Sequence, residues 1–177
     1  FISIIHIQIF SNMSLSTLPS TFNQITLHHR PKDMPTVENF QVTSVPMYKE
    51  SDVPEGHLLV RILYLSVDPY MRGRIGNDVK LSSTKPVDIG GVIPGGTVSE
   101  IVLSKHSKFT AGDVIMSYTG WTEYAIVNGD IAQKIHTKLG LPLSYYLGGL
   151  GMPGLTAYYG LFEEGKLKKG ETVVVSG

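Results

Sequence analysis

The sequence predicts a mostly β, α+β chain: a small β-barrel or sandwich followed by the opening of an α/β unit. Three observations carry this. Short apolar runs alternate with turn signals every 8 to 12 residues through the first three quarters of the chain. Glycine and proline are abundant, at 19 and 10 of 177 residues, which suits many turns rather than a helical bundle. After Lys138 the pattern changes to helical periodicity and ends in Glu171-Thr172-Val173-Val174-Val175-Ser176-Gly177. Its β-formers, Thr172 to Val175, do not alternate with polar residues and suit a parallel strand covered on both faces.

The elements run in order along the chain. Phe1 to Phe10 is apolar, with isoleucines at 5, 7 and 9. It lacks the basic residues that precede a secretory signal and is too short to span a bilayer. A stray strand or non-native coding sequence, with Met13 as the true start, are the two readings. Residues 1–23 are expected to be a disordered or non-native arm. Strands are predicted over Gln24–His28, Phe40–Val45, Leu58–Leu65, Gly95–Leu103, Val114–Tyr118, Trp121–Val127 and Ala132–Ile135. Turns at Arg30–Pro35, Pro54–Gly56 and Ala111–Asp113 separate them. Ser144 is placed to cap a short helix through Leu150. Pro153 or Thr156 starts a second helix that stops at Gly165. Lys168, Lys169 and Gly170 turn into the last strand. The predicted division is 1–23 arm, 24–138 barrel, and 139–177 linking helices and first strand of a second domain.

Composition excludes several classes of function. Apolar residues make up 42%, and 15 basic residues balance 15 acidic ones, so no basic stripe recommends nucleic acid. The absence of cysteine removes disulfides, Cys-ligated zinc and a thiol nucleophile, and fits a cytoplasmic protein. The six histidines (6, 28, 29, 57, 106 and 136) show no ligand-pair spacing. A strand ending in a small residue and a glycine, as at Val175-Ser176-Gly177, is how a dinucleotide-binding βαβ unit opens its phosphate turn. No second glycine, helix or ribose-binding acid comes after it in this sequence.

Three segments carry a family resemblance: Leu65-Ser66-Val67-Asp68-Pro69-Tyr70-Met71-Arg72-Gly73, Gly151-Met152-Pro153-Gly154-Leu155-Thr156-Ala157-Tyr158-Tyr159-Gly160-Leu161, and Gly170 to Gly177. Together with Ala111-Gly112-Asp113 and Gly120-Trp121-Thr122-Glu123-Tyr124, they resemble the zinc-independent medium-chain dehydrogenase/reductases. The closest group is the alkenal double-bond reductases, including leukotriene 12-hydroxydehydrogenase, prostaglandin reductase and curcumin-reductase-like enzymes. The resemblance covers about Gln24 to Gly177. It implies a GroES-like barrel followed by a Rossmann domain, and NADPH-dependent reduction of the C=C bond of a small enone or enal in the cleft between them. Zinc-binding relatives place a cysteine where this chain has Ser66-Val67-Asp68, and a histidine where it has Gly96, so no metal is expected.

Without zinc, the substrate carbonyl must be polarised by hydrogen bonding as negative charge develops on its oxygen. The phenol of Tyr70, set by Pro69, is the catalytic candidate, against the alternative that it packs at the barrel edge. Tyr118 is the substrate-side candidate, against a strand-end aromatic. The resemblance makes Met152, Thr156 and Gly177 the cofactor-binding candidates, an apolar surface and a hydroxyl for the nicotinamide and a phosphate turn, against an ordinary helix start with a Thr cap and a core Met. Asp68 and Arg72 are candidates for a salt bridge, against Arg72 as a solvated charge with no assigned chemistry, while Trp121 and Tyr124 read as structural. Phosphate-turn and helix elements beyond Gly177 are missing from this sequence, so the chain by itself is expected to be the inactive N-terminal part of such an enzyme. A quinone reductase of the same superfamily and a non-catalytic GroES-like binding module are the alternative readings. A homodimer of the full-length protein is neither specified nor excluded.

Overall fold

The computed structural model describes residues 3–6, 17–76, 85–137 and 140–175. Among the described residues there are eight strands: β1 (Ser3–His6), β2 (Thr21–Leu27), β3 (Phe40–Pro46), β4 (His57–Val67), β5 (Thr97–Ser104), β6 (Val114–Ser117), β7 (Tyr124–Asn128) and β8 (Gln133–Lys134). The main sheet has the order β1-β4-β5-β6-β8, with β7 also pairing β4. β2 and β3 form a two-stranded sheet of their own. It is tied to the rest through the bridges Gln24↔Thr122 and Thr26↔Val92.

β4 organises the fold. Its 11 residues pair with β5 on one edge, and with β7 and then β1 on the other. Leu58, Val60 and Ile62 enter one cluster with Ile101, Phe109, Ile115 and Val127, whereas Leu59 joins Phe22, Val53, Val102 and Tyr124. Both faces of the strand are therefore buried, which is why it reads as a continuous apolar run instead of an alternating one. A register shift between Ile62 and Tyr64 inserts one residue into the ladder and reverses the parity of the remaining strand residues. Leu65 consequently takes the face of Leu58, Val60 and Ile62, while Tyr64 packs with Val98, Ile135 and Leu147.

The mostly β architecture is as expected, and several details differ. The arm expected through residue 23 is replaced by strand at two places. β1 lies antiparallel along Tyr64–Val67, beyond the reach of β7, and β2 begins at Thr21 so that Phe22 is buried. The short helix expected from Ser144 is a 3-10 turn over Leu143–Leu147, preceded by Pro142 and with no side-chain cap. A second helix does form: α2 (Met152–Tyr158) carries a proline in its first turn and widens into a π-helical turn over Tyr159–Glu164, followed by Gly165. Thr172–Val175 forms no strand, and Val174 and Val175 are exposed. A strand exists only when paired, and no described strand flanks this segment. The boundary expected at 138/139 lies outside the described residues.

Candidate active site

The segment after β4 turns tightly into α1 (Met71–Ile75), a helix that the sequence pattern does not predict. The Met71 and Arg72 N–H groups donate to the Asp68 and Pro69 carbonyls, both at 3.1 Å. Tyr70 is the residue immediately before the helix, with φ −61° and ψ −25°. Met71, Gly73 and Ile75 are buried, which seats α1 on the barrel. Burial pushes the half-buried Tyr70 phenol above its ordinary value of 10.0; Asp68 and Tyr118 push it further and Arg74 opposes them. A phenol so placed stays protonated at neutral pH and acts as a hydrogen-bond donor.

A narrow cleft runs beside this turn. Ser66, Asp68, Gly96 and Tyr118 from the barrel line one part of it, and Tyr146, Leu147, Met152 and Pro153 line the other. Its free space is about 20 Å³, room for roughly one water. Gly96 lines the cleft between Tyr118 and Leu147, and a methyl group there would make only ordinary contacts with both. Tyr118, 69% exposed, also borders a wider open hollow of about 360 Å³ with Thr119, Ile126 and Gln133. The side chain thus partitions two spaces.

The structure brings Tyr118 and Met152 into one cleft; Tyr70 is not among its lining residues but interacts electrostatically with Asp68 and Tyr118, which are. Thr156 lies one turn beyond Met152 on α2 and outside the cleft lining. Its hydroxyl donates to the Met152 carbonyl at 2.8 Å, leaving the oxygen lone pairs free to accept. Gly177 lies outside the described residues. The pairing of Asp68 with Arg72 does not form: Arg72 donates instead to the Asp33 carbonyl at 2.9 Å. Trp121 packs against Phe40, with ring centroids 5.7 Å apart, and Tyr124 is buried in the core. Among the described residues no group of three His, Asp or Glu side chains could hold a metal ion.

Sequence reasoning missed Ser66 as a site residue. It is only 2% exposed, lines the cleft, and its Oγ has no hydrogen-bond partner. The β4 bulge aims it: Ser66 shares the face of Tyr64, toward Leu147, because the parity of the strand has been reversed. An unpaired buried hydroxyl costs about 1–3 kcal/mol unless a ligand or water meets it.

Comparison with known proteins fits this geometry. The family model described as the N-terminal domain of oxidoreductase matches residues 23–135. The chain is 46% identical over 153 residues to the NADPH-dependent curcumin reductase of Escherichia coli K12, covering 85% of this chain and 42% of the relative. It is 40% identical over 156 residues to the NADP-dependent 2-alkenal reductase of Nicotiana tabacum, covering 86% and 44%. The crystal structure of CurA in complex with NADPH from Vibrio vulnificus superposes with a TM-score of 0.75 at 42% identity, over 84% of this chain and 42% of that one. The chain therefore spans less than half the length of these relatives. The barrel is the GroES-like domain, and among the described residues no helix is long and apolar enough to cross a membrane. The chain belongs to the N-terminal domain family of oxidoreductases, in the alkenal- and prostaglandin-reductase-like group of the medium-chain dehydrogenase/reductases.

Proposed function

We propose that this chain is the barrel-side part of an NADPH-dependent reductase that saturates the C=C bond of α,β-unsaturated aldehydes and ketones. The observation that carries the reading is the cleft itself. It sets the Ser66–Asp68 turn and Tyr118 of the barrel against Met152 at the start of α2, beside a phenol kept protonated. The named activities of the curcumin and alkenal reductases support it.

The residues lining the cleft suit a nicotinamide in their chemistry, and its space of about 20 Å³ must widen to admit the ring. Leu147, Met152 and Pro153 offer apolar surface to a flat ring, and the unpaired Ser66 hydroxyl offers a polar contact at its edge. Thr156, already donating within its helix, is an acceptor for a carboxamide N–H. When bound, NADPH would supply a hydride to the substrate β-carbon, and the resulting enolate would take its α-carbon proton from water. Tyr70 donates a hydrogen bond to the substrate carbonyl oxygen, where negative charge accumulates, and so stabilises that charge more in the transition state than in the ground state. Tyr118 bounds the substrate side and limits access of water. The neutral phenol matters, because a phenolate would repel the developing oxyanion. Activity resting on Tyr70 is therefore retained across neutral pH and is lost as pH rises through its elevated pKa.

In the full-length reductase, Tyr70→Phe is expected to lower kcat/KM for an enone by about tenfold or more, equivalent to roughly 1.4 kcal/mol of transition-state stabilisation. Steady-state kinetics with NADPH and a simple enone checks it. Unchanged kinetics in a folded variant would reduce Tyr70 to a packing residue.

A further inference from the structure

We propose that Arg30 is a positioning residue for Tyr70, acting through α1. The inference rests on the reading of Tyr70 given above. Arg30 lies just past the end of β2, in the turn that leads to β3. One guanidinium nitrogen, Nη1, donates to the Gly76 carbonyl at 3.1 Å and to the Ile75 carbonyl at 3.4 Å. The other, Nη2, donates to the Val87 carbonyl at 2.6 Å. Ile75 and Gly76 are the last residue of α1 and its C-terminal cap, and the Val87 N–H returns to the Arg74 carbonyl at 2.8 Å. The described partners of Arg30 are thus backbone carbonyls at the C-terminal end of the helix, where unpaired acceptors and the helix dipole both favour a cation.

A second arginine crosses the same gap in the opposite direction. Arg72, on α1, donates to the Asp33 carbonyl at 2.9 Å. The 30–33 turn and α1 are therefore latched at two points by side chains of opposite origin. A five-residue helix has too few internal hydrogen bonds to define its own orientation. Its axis is set by the buried Met71 and Ile75 together with these two latches, and Tyr70 immediately precedes its first residue. Releasing the C-terminal end lets the helix pivot on Met71 and carries the phenol off its aim. Small displacements of a catalytic donor are costly, since about 1 Å of misplacement can remove about a hundredfold in rate. The shift of the Tyr70 phenol comes first from burial and then from Asp68, Tyr118 and Arg74; Arg30 is not among its causes, so its loss acts through position.

The test uses two readouts. In the full-length reductase, Arg30→Ala is expected to lower kcat for an enone by about tenfold, with KM for NADPH and the alkaline limb of the pH profile unchanged. In the Tyr70→Phe background the same substitution is expected to cost less than about twofold, because the residue it acts through is gone. Independently of activity, 3-fluorotyrosine labelling is expected to show the Tyr70 ¹⁹F resonance, assigned by Tyr70→Phe, shifted or broadened in Arg30→Ala while the Tyr48 and Tyr124 resonances stay in place. Arg30→Lys keeps the charge but cannot reach all three carbonyls, and is expected to give an intermediate effect in a folded protein. An unmoved Tyr70 resonance in both variants, or an equal loss of kcat with and without the Tyr70 hydroxyl, overturns the proposal. A moved resonance with silent Tyr70→Phe kinetics overturns instead the catalytic reading of Tyr70 and leaves the latch standing.

Discussion

Leu59→Ala is expected to destabilise the chain by about 2–5 kcal/mol, measured as the loss in unfolding free energy from urea titration. Leu59 is fully buried, and it is the β4 residue that faces away from the Leu58–Val60–Ile62 cluster. Its contacts are with Phe22 on β2, Val53 in the loop before β4, Val102 at the bulge of β5, and Tyr124 on β7. Truncation opens a cavity at a point where several separate chain segments meet, and rigid strands on each side cannot collapse into it. Because a domain of this size is stable by only about 5–15 kcal/mol, the loss is a large part of the total. Val42→Ala, on the 68% exposed face of β3, serves as the control and should cost less than about 0.5 kcal/mol. A cost for Leu59→Ala no larger than for Val42→Ala would mean that the second face of β4 is not sealed.

Gly120→Ala is expected to cost about 2–4 kcal/mol, combining left-handed backbone strain with a disturbed hydrogen bond. Gly120 has φ +88°, and a methyl group on it would overlap the Ile93 carbonyl. That carbonyl is not free to move away, because it accepts the Trp121 N–H at 2.8 Å. Gly112 has nearly the same backbone angle, φ +87°, but open space around the missing side chain. Gly112→Ala should therefore show only the backbone part, about 1–2 kcal/mol. Thermal unfolding of the two variants side by side separates strain from collision. Equal losses would refute the close approach at Ile93.

The legible parts of this fold are those whose signal is local. The apolar run of β4, the turns at Gly56 and Gly112, and the Gly151–Thr156 helix start all carry their cause within a few residues. What failed depended on distant partners. α1 was invisible because five residues containing Gly73, just after Pro69, have no helical period to detect, and it is packing by Met71 and Ile75 that holds it. The Thr172–Val175 run has strong strand propensity, but propensity is expressed only where a neighbouring strand supplies hydrogen bonds. The family resemblance nominated Tyr70, Tyr118, Met152, Thr156 and Gly177, the last of which lies outside the described residues. The structure gathers Tyr118 and Met152 into one cleft and leaves Thr156 a turn away, and the chemical roles of all five are proposals. Ser66 enters the sequence reading only as the place of an absent zinc ligand, because a serine at a strand end carries no signal of its own. Its direction comes from a bulge that only the pairing of β4 with β5 defines.

The pairing of β4 with both β5 and β7 has a kinetic consequence. Arg61 of β4 lies opposite Glu100 of β5 and Tyr124 of β7, so the central strand must find partners about 40 and about 60 residues downstream before its apolar faces are covered. Large loops must close early, and no local hairpin can serve as a seed for β4. Chains dominated by such non-local pairing fold in about milliseconds to seconds rather than microseconds. Stopped-flow refolding monitored through Trp121 should show this slow main phase. A dominant phase in the microsecond range would mean that the barrel assembles from β2–β3 outward, with β4 arriving last.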